Sequence, residues 1–142
     1  LQHGARKVYA VDVGHHQLHP RLQQDPRVVV MDGVNARHLT ADRFPEPPTF
    51  ATVDASFISL RLILPAVAAV LAPGGRLVTL IKPQFDVGPG GVVRDPAVHE
   101  RVIREVRTAG EREAGLAWQG VCTSPLRGPA GNVEFLAYWK RI

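Results

Sequence analysis

With 142 residues, 45% hydrophobic and 21% charged, the chain carries enough apolar material for one folded domain and too much to stay disordered. Seventeen Lys and Arg against 13 Asp and Glu leave a net charge of +4, which admits a polyanionic partner without requiring one. The longest apolar run, residues 62–72, contains Pro65 and is far short of the roughly 20 residues of a membrane span; the lone Cys122 has no internal disulfide partner, so a soluble, cytoplasmic protein without membrane partners is expected.

In chain order, LQHGARKVYAVDVG reads as the end of a helix stopped at Gly4 and then a buried strand over residues 7–13. A short helical stretch over 16–24, with Pro20 inside it, leads to a strand over 27–31 and the pair Asp32-Gly33. A third strand, 50–53, runs into Asp54. Residues 60–72 are apolar nearly all round and stop before Gly74-Gly75, which predicts a buried helix. A fourth strand, 76–81, ends at Lys82. Residues 96–114 put Val98, Val102, Val106 and Ala109 on one face, the pattern of an amphipathic helix. Strands over 116–123 and 133–139 follow, separated by the turn-rich SPLRGPAGN. Strands alternating with helices predict an α/β fold with a parallel sheet covered on both faces.

Open sheets of this kind bind ligands outside the carboxyl ends of their strands, where Asp12, Asp32, Asp54 and Lys82 are expected to crowd one rim. Asp12 suits the two hydroxyls of a ribose or caps the next turn; Asp32 suits an adenine amino group or belongs to an ordinary Asp-Gly turn. Lys82 facing Asp54 is a rim salt bridge, a pair that holds both groups charged, or a lysine made basic by desolvation. Glu134, at the start of the last strand, is expected to share a face with Leu136 and Tyr138, where an acid needs a partner. His15, His16 and His19 contain an i,i+4 pair but no third ligand, so no metal site is expected. Cys122 is expected to be a small buried residue. The glycine-rich segment 89–91 lacks the lysine and Ser/Thr of a phosphate loop and reads as a mobile lip.

Taken together, VYAVDVG, DGVNARHL, DASFISL, LIKPQFDVG, GGVVRDP and SPLRGPAGNVEFL resemble, in order and spacing, the TlyA or hemolysin A family of FtsJ-like RNA 2′-O-methyltransferases, over essentially the whole chain. The resemblance implies a Rossmann-like class I methyltransferase sheet, of order 3-2-1-4-5-7-6 in the family, with S-adenosylmethionine as cofactor. It implies ribosomal RNA or a ribosomal subunit as partner and a ribose 2′-hydroxyl as methyl acceptor. Asp54, Lys82 and Glu134 match three members of the family's Lys-Asp-Lys-Glu catalytic set, with Lys82 held by Asp54 and Glu134. Asp12 matches the ribose-binding acid and Asp32 the adenine-side acid, while Phe57 and Asn132 match positions near the cofactor.

The family's first strand, first catalytic lysine, glycine-rich loop (G-x-S-T-G-G-F-T-D) and small N-terminal RNA-binding domain have no counterpart in these residues. A single methyltransferase domain, incomplete at its N-terminus, is therefore expected. The strands at 7–13 and 50–53 then either pair directly or leave backbone groups open, which invites self-association through the incomplete sheet. Three readings follow: a methyltransferase lacking its N-terminal part, an inactive remnant that folds without cofactor, and a nicotinamide-dependent oxidoreductase. Asp12 suits the third equally well, although no hydride-handling His or Tyr is evident near the strand ends. The long alternating strands or amphipathic membrane helix of a pore-former are not seen.

Overall fold

The computed structural model describes residues 1–87 and 91–142, so Pro89 and Gly90 of the expected lip lie outside the described residues. In chain order the elements are β1 (Val8–Asp12), α1 (Pro20–Gln23), β2 (Val28–Asp32), β3 (Phe50–Val53), α2 (Leu60–Val70), β4 (Arg76–Ile81), α3 (Pro96–Glu113), β5 (Leu116–Thr123) and β6 (Phe135–Arg141), with several single 3-10 turns between them. They fall into two compact units, residues 1–39 and 40–142, each with its own sheet.

In the first unit β1 and β2 pair in parallel from Val8 opposite Val28 to Asp12 opposite Asp32. The shared register ends both strands level, so the two carboxylates are neighbours. Each also organises the turn beyond the strands: Asp12 Oδ1 accepts from the Gly14 amide at 2.8 Å and Asp32 Oδ2 from the His16 amide at 3.1 Å. Gly33 has φ +66°, and a Cβ there would press on the His15 ring. The expected helix over 16–24 shrinks to one turn, because Pro20 takes its first position, where a missing N–H costs nothing. His19 caps that turn, its Nδ1 accepting from the Arg21 amide.

The second unit holds a sheet of order β3-β4-β6-β5. Only β3 and β4 are parallel; β6 runs antiparallel to both β4 and β5. The wholly parallel sheet expected from the alternation is corrected here. The β5–β6 connection has no crossover helix, and antiparallel neighbours need none. Burial alternates along β4, with Leu77, Thr79 and Ile81 fully enclosed; burying a Leu or Ile side chain contributes about 1.5–3 kcal/mol.

Helix α2 starts at Ser59, whose Oγ accepts from the Arg61 amide. It buries Leu60, Ile63, Leu64, Val67 and Ala68 on one stripe, while Leu62 and Pro65 face outward. It is thus amphipathic, not buried all round, and Pro65 survives on the solvent side. Helix α3 is capped by Asp95, with Pro96 in its first position. Its buried face is His99, Val102, Val106 and Gly110, a slight rotation from the face expected. Gly110 lets α3 approach β6 closely, since a Cβ there would overlap the Trp139 ring. Trp139 is fully buried, donates from Nε1 to Thr79 Oγ1 at 3.0 Å and meets Trp118 edge-on.

Two expectations fail in this region. Cys122 is exposed on the outer strand β5, which among the described residues pairs with β6 alone. The last strand begins at Phe135, not Val133, so Glu134 lies just before it. Asn132 and Glu134 are engaged through their side chains in bonds described next, while the Glu134 carbonyl still accepts from the Ser124 amide at 2.8 Å.

Candidate functional site

The parallel register of β3 and β4, Val53 opposite Thr79, brings the residues just beyond both strands to one end of the sheet. There Lys82 Nζ lies 2.6 Å from Asp54 Oδ1 and donates to Ser56 Oγ at 3.1 Å. The lysine side chain is 10% exposed and the aspartate 70%. Pro83 ends β4 and opens a single 3-10 turn, Pro83–Phe85, for which Lys82 is the preceding cap position. The ammonium is therefore presented by a rigid junction.

The antiparallel register of β4 and β6 ends with Ile81 opposite Phe135, which carries Glu134 to the same end. Glu134 is buried, yet it makes no ion pair with Lys82: its Oε2 accepts from Gln84 Nε2 at 2.9 Å. The Gly128 backbone closes the other side, and a Cβ on Gly128 would collide with the Glu134 carboxylate. The expectation that Lys82 is held by Asp54 and Glu134 is corrected to Asp54 and Ser56. The amide of Gln84 reaches Glu134 first.

Phe57 has φ +65° and is 91% exposed, its ring tilted against Phe85 at 5.3 Å. Left-handed backbone costs a non-glycine residue about 1–2 kcal/mol, so DASFIS holds an aromatic face in solvent at a cost. Asn132 is buried with both ends of its amide engaged: Oδ1 accepts from the Val93 amide at 2.9 Å, and Nδ2 donates to the Pro129 carbonyl. His99 Nε2 donates to the Val93 carbonyl at 2.9 Å. Asn132 thus fastens the segment before α3. Asp12 and Asp32, in the first unit, each spend one oxygen on a turn amide.

Just beyond the 3-10 turn, the enclosed Asp86 carboxylate accepts from the Ser59 hydroxyl and lies 3.6 Å from Arg61. Burial pushes its pKa up, against the opposing pull of Ser59 and Arg61. This bond ties the start of α2 to the turn after Lys82. A cleft of about 690 Å³ lined by Ser59, Arg61, Arg104, Thr108 and Arg112, among others, runs between α2 and α3 and includes neither Lys82 nor Asp54. Among the described residues no three His, Cys, Asp or Glu side chains group as metal ligands.

Ser56 and Gln84 escaped the sequence reading. Ser56 follows Asp54 by two residues and could have been found by asking what else the DASFIS loop offers an ammonium. Gln84 is two residues past Lys82, but its partner is 50 positions away, which nothing local announces.

The sheet puts a lysine and an aspartate on the ends of adjacent parallel strands, beside antiparallel final strands, in an α/β domain. The chain belongs to the FtsJ-like methyltransferase family, whose model matches residues 1–141. It is 48% identical over 144 residues to YqxC of Bacillus subtilis, covering 97% of this chain and 51% of that protein. It is 43% identical over 145 residues to the 16S/23S rRNA (cytidine-2'-O)-methyltransferase TlyA of Mycobacterium tuberculosis, covering 97% and 53%. A solved Streptococcus thermophilus structure described as a hemolysin superposes with a TM-score of 0.93 at 44% identity, covering 99% of this chain and 52% of that one. Structures of S-adenosylmethionine-dependent methyltransferases from Methanosarcina mazei and Listeria monocytogenes, both 14% identical, share the Rossmann-like fold with TM-scores of 0.63 and 0.66; they cover 96% and 99% of this chain and are themselves covered to 82% and 83%. The chain spans about half the length of the two named relatives.

Proposed function

We propose that this chain is the catalytic part of an S-adenosylmethionine-dependent rRNA 2′-O-methyltransferase. The observation that carries the reading is the Lys82–Asp54 pair at the ends of adjacent parallel strands in a member of the FtsJ-like family. The relative TlyA, named for cytidine 2′-O-methylation of 16S and 23S rRNA, supports the substrate class. Under this reading both compact units belong to one methyltransferase domain, and a ribosomal substrate implies a cytoplasmic location.

S-adenosylmethionine supplies an electrophilic methyl group when bound. The free carboxylate oxygens of Asp12 and Asp32 suit the donors of its ribose and adenine, whereas Asn132, its amide already engaged, acts by holding Val93. A ribose hydroxyl is a weak nucleophile. Among the described residues two of the three Lys82 N–H donors are committed, to Asp54 and Ser56, which leaves the third for the 2′-oxygen. That bond orients the oxygen and favours the negative charge it gains as its proton passes to solvent. Glu134 supplies a further fixed negative charge at the same sheet end, and the exposed Phe57 ring offers an apolar face beside it.

Isolated 16S and 23S rRNA lacking the modification, incubated with the complete protein and methyl-labelled cofactor, are expected to gain label in a nucleotide that resists alkaline cleavage. Absence of transfer to either RNA or subunit, with cofactor bound, sinks the proposal. Micromolar cofactor affinity supports an enzyme; none at millimolar concentration supports the inactive remnant. Among the described residues β1 and β3 are each paired on one side only, which supports self-association by strand pairing; light scattering across a concentration series tests it.

A further inference from the structure

We propose that Gln84 is a positioning residue for Glu134, setting where that carboxylate stands relative to Lys82; the inference rests on the methyltransferase reading above. Gln84 and Lys82 belong to the same tight turn, Gln84 inside it and Lys82 at its cap position. The backbones of the two residues therefore stand at a fixed offset. Gln84 Nε2 donates to Glu134 Oε2 at 2.9 Å, across 50 residues of sequence. On the Gly128 side the carboxylate is closely packed, since a Cβ on Gly128 would overlap it.

The other end of the amide argues for purpose. Gln84 Oε1 is buried and has no hydrogen-bond partner among the described residues. An unpaired buried carbonyl is unfavourable, and a methionine would fill the same space without that penalty. The amide cannot be turned round, since its oxygen would then face a carboxylate oxygen. What the glutamine gives in exchange is one N–H aimed at Glu134, a charge-assisted bond that fixes direction as well as position.

The test compares Gln84→Met, which keeps the volume and removes the donor, with Gln84→Asn, which keeps the amide and withdraws it by one methylene. In the complete protein both are expected to lower kcat for rRNA methylation by up to about a hundredfold, leaving KM for RNA and cofactor affinity within a few-fold. A thermal-stability cycle adds Glu134→Gln, alone and with Gln84→Met, and reads the contact without reference to activity. The two Tm shifts are expected to be non-additive, with Gln84→Met near neutral once Glu134 has lost its charge. Additive shifts, or kcat in both Gln84 variants within about twofold of wild type, overturn the assignment. If wild-type protein transfers no methyl group, the methyltransferase reading falls and takes the catalytic purpose with it, while the cycle still shows whether Gln84 holds Glu134.

Discussion

Lys82 and Asp54 share an ion pair of 2.6 Å but not an environment: the lysine side chain is almost enclosed and the aspartate mostly in water. The enclosed partner depends on the open one. An ammonium drawn out of solvent needs a nearby anion, and here that anion stays open to solvent. If the proposed RNA substrate covers this end of the sheet, docking would dry the aspartate and tighten the pair.

Removing the ammonium separates chemistry from binding. Lys82→Ala in the complete protein is expected to lower methyl transfer by about a thousandfold or more while cofactor affinity stays within a few-fold. Asp12→Ala is expected to weaken cofactor binding first. Titration calorimetry beside single-turnover transfer reads both, and the reverse pattern means the two roles are exchanged.

The Trp139–Thr79 bond is buried on both sides. Thr79→Val leaves the indole N–H without an acceptor and is expected to cost about 1–3 kcal/mol, seen as a lower midpoint in urea with an unchanged slope. Thr79→Ser keeps the oxygen and is expected to lose less.

Close approach of α3 makes a second packing prediction. An alanine at position 110 gains helix propensity of about 1 kcal/mol, but its methyl meets the Trp139 ring, and overpacking costs about 1–3 kcal/mol. Gly110→Ala is expected to destabilise in wild type and to be tolerated better in a Trp139→Phe background, where the ring is smaller. Chemical denaturation of the four proteins decides it.

Asp86 gives stability a pH dependence. Its folded-state pKa is raised above the ordinary 3.8 by burial, so the folded protein holds this proton more tightly than the unfolded chain. Its contribution is therefore greatest on the acid side and is lost as pH rises through the interval between the ordinary and the raised value. Asp86→Asn, which cannot ionise, is expected to flatten that interval. Denaturation midpoints at closely spaced pH values, compared between the two proteins, show whether the slope vanishes.

The parallel pair β3 and β4 was legible because each strand is a short apolar run halted by a charged residue, and Phe50–Val53 and Arg76–Ile81 fall where that rule places them. The meeting of Asp54 and Lys82 followed from the same rule. Glu134 was harder. Val133 prolongs the alternation of the final strand, and the side-chain bonds of Glu134 to Gln84 and of Asn132 to Val93 join residues too distant in sequence for that alternation to announce. Burial of Cys122 was misjudged because residue type predicts depth poorly on an outer strand, where one flank has no neighbour. The antiparallel return of β6 was hidden by reading helix and strand alternation as if it held to the end.

Asp12 and Asp32 stand on slender support. In residues 1–39 the buried apolar side chains among those described are Met31 and Leu39, beneath a sheet of two strands, and such a ribbon has little stability of its own. Amide protons there will exchange with solvent sooner than those of β4 or β6. On the proposed cofactor role, a nucleoside bridging the two carboxylates would act as a splint, and part of its intrinsic affinity would be consumed in ordering residues 1–39.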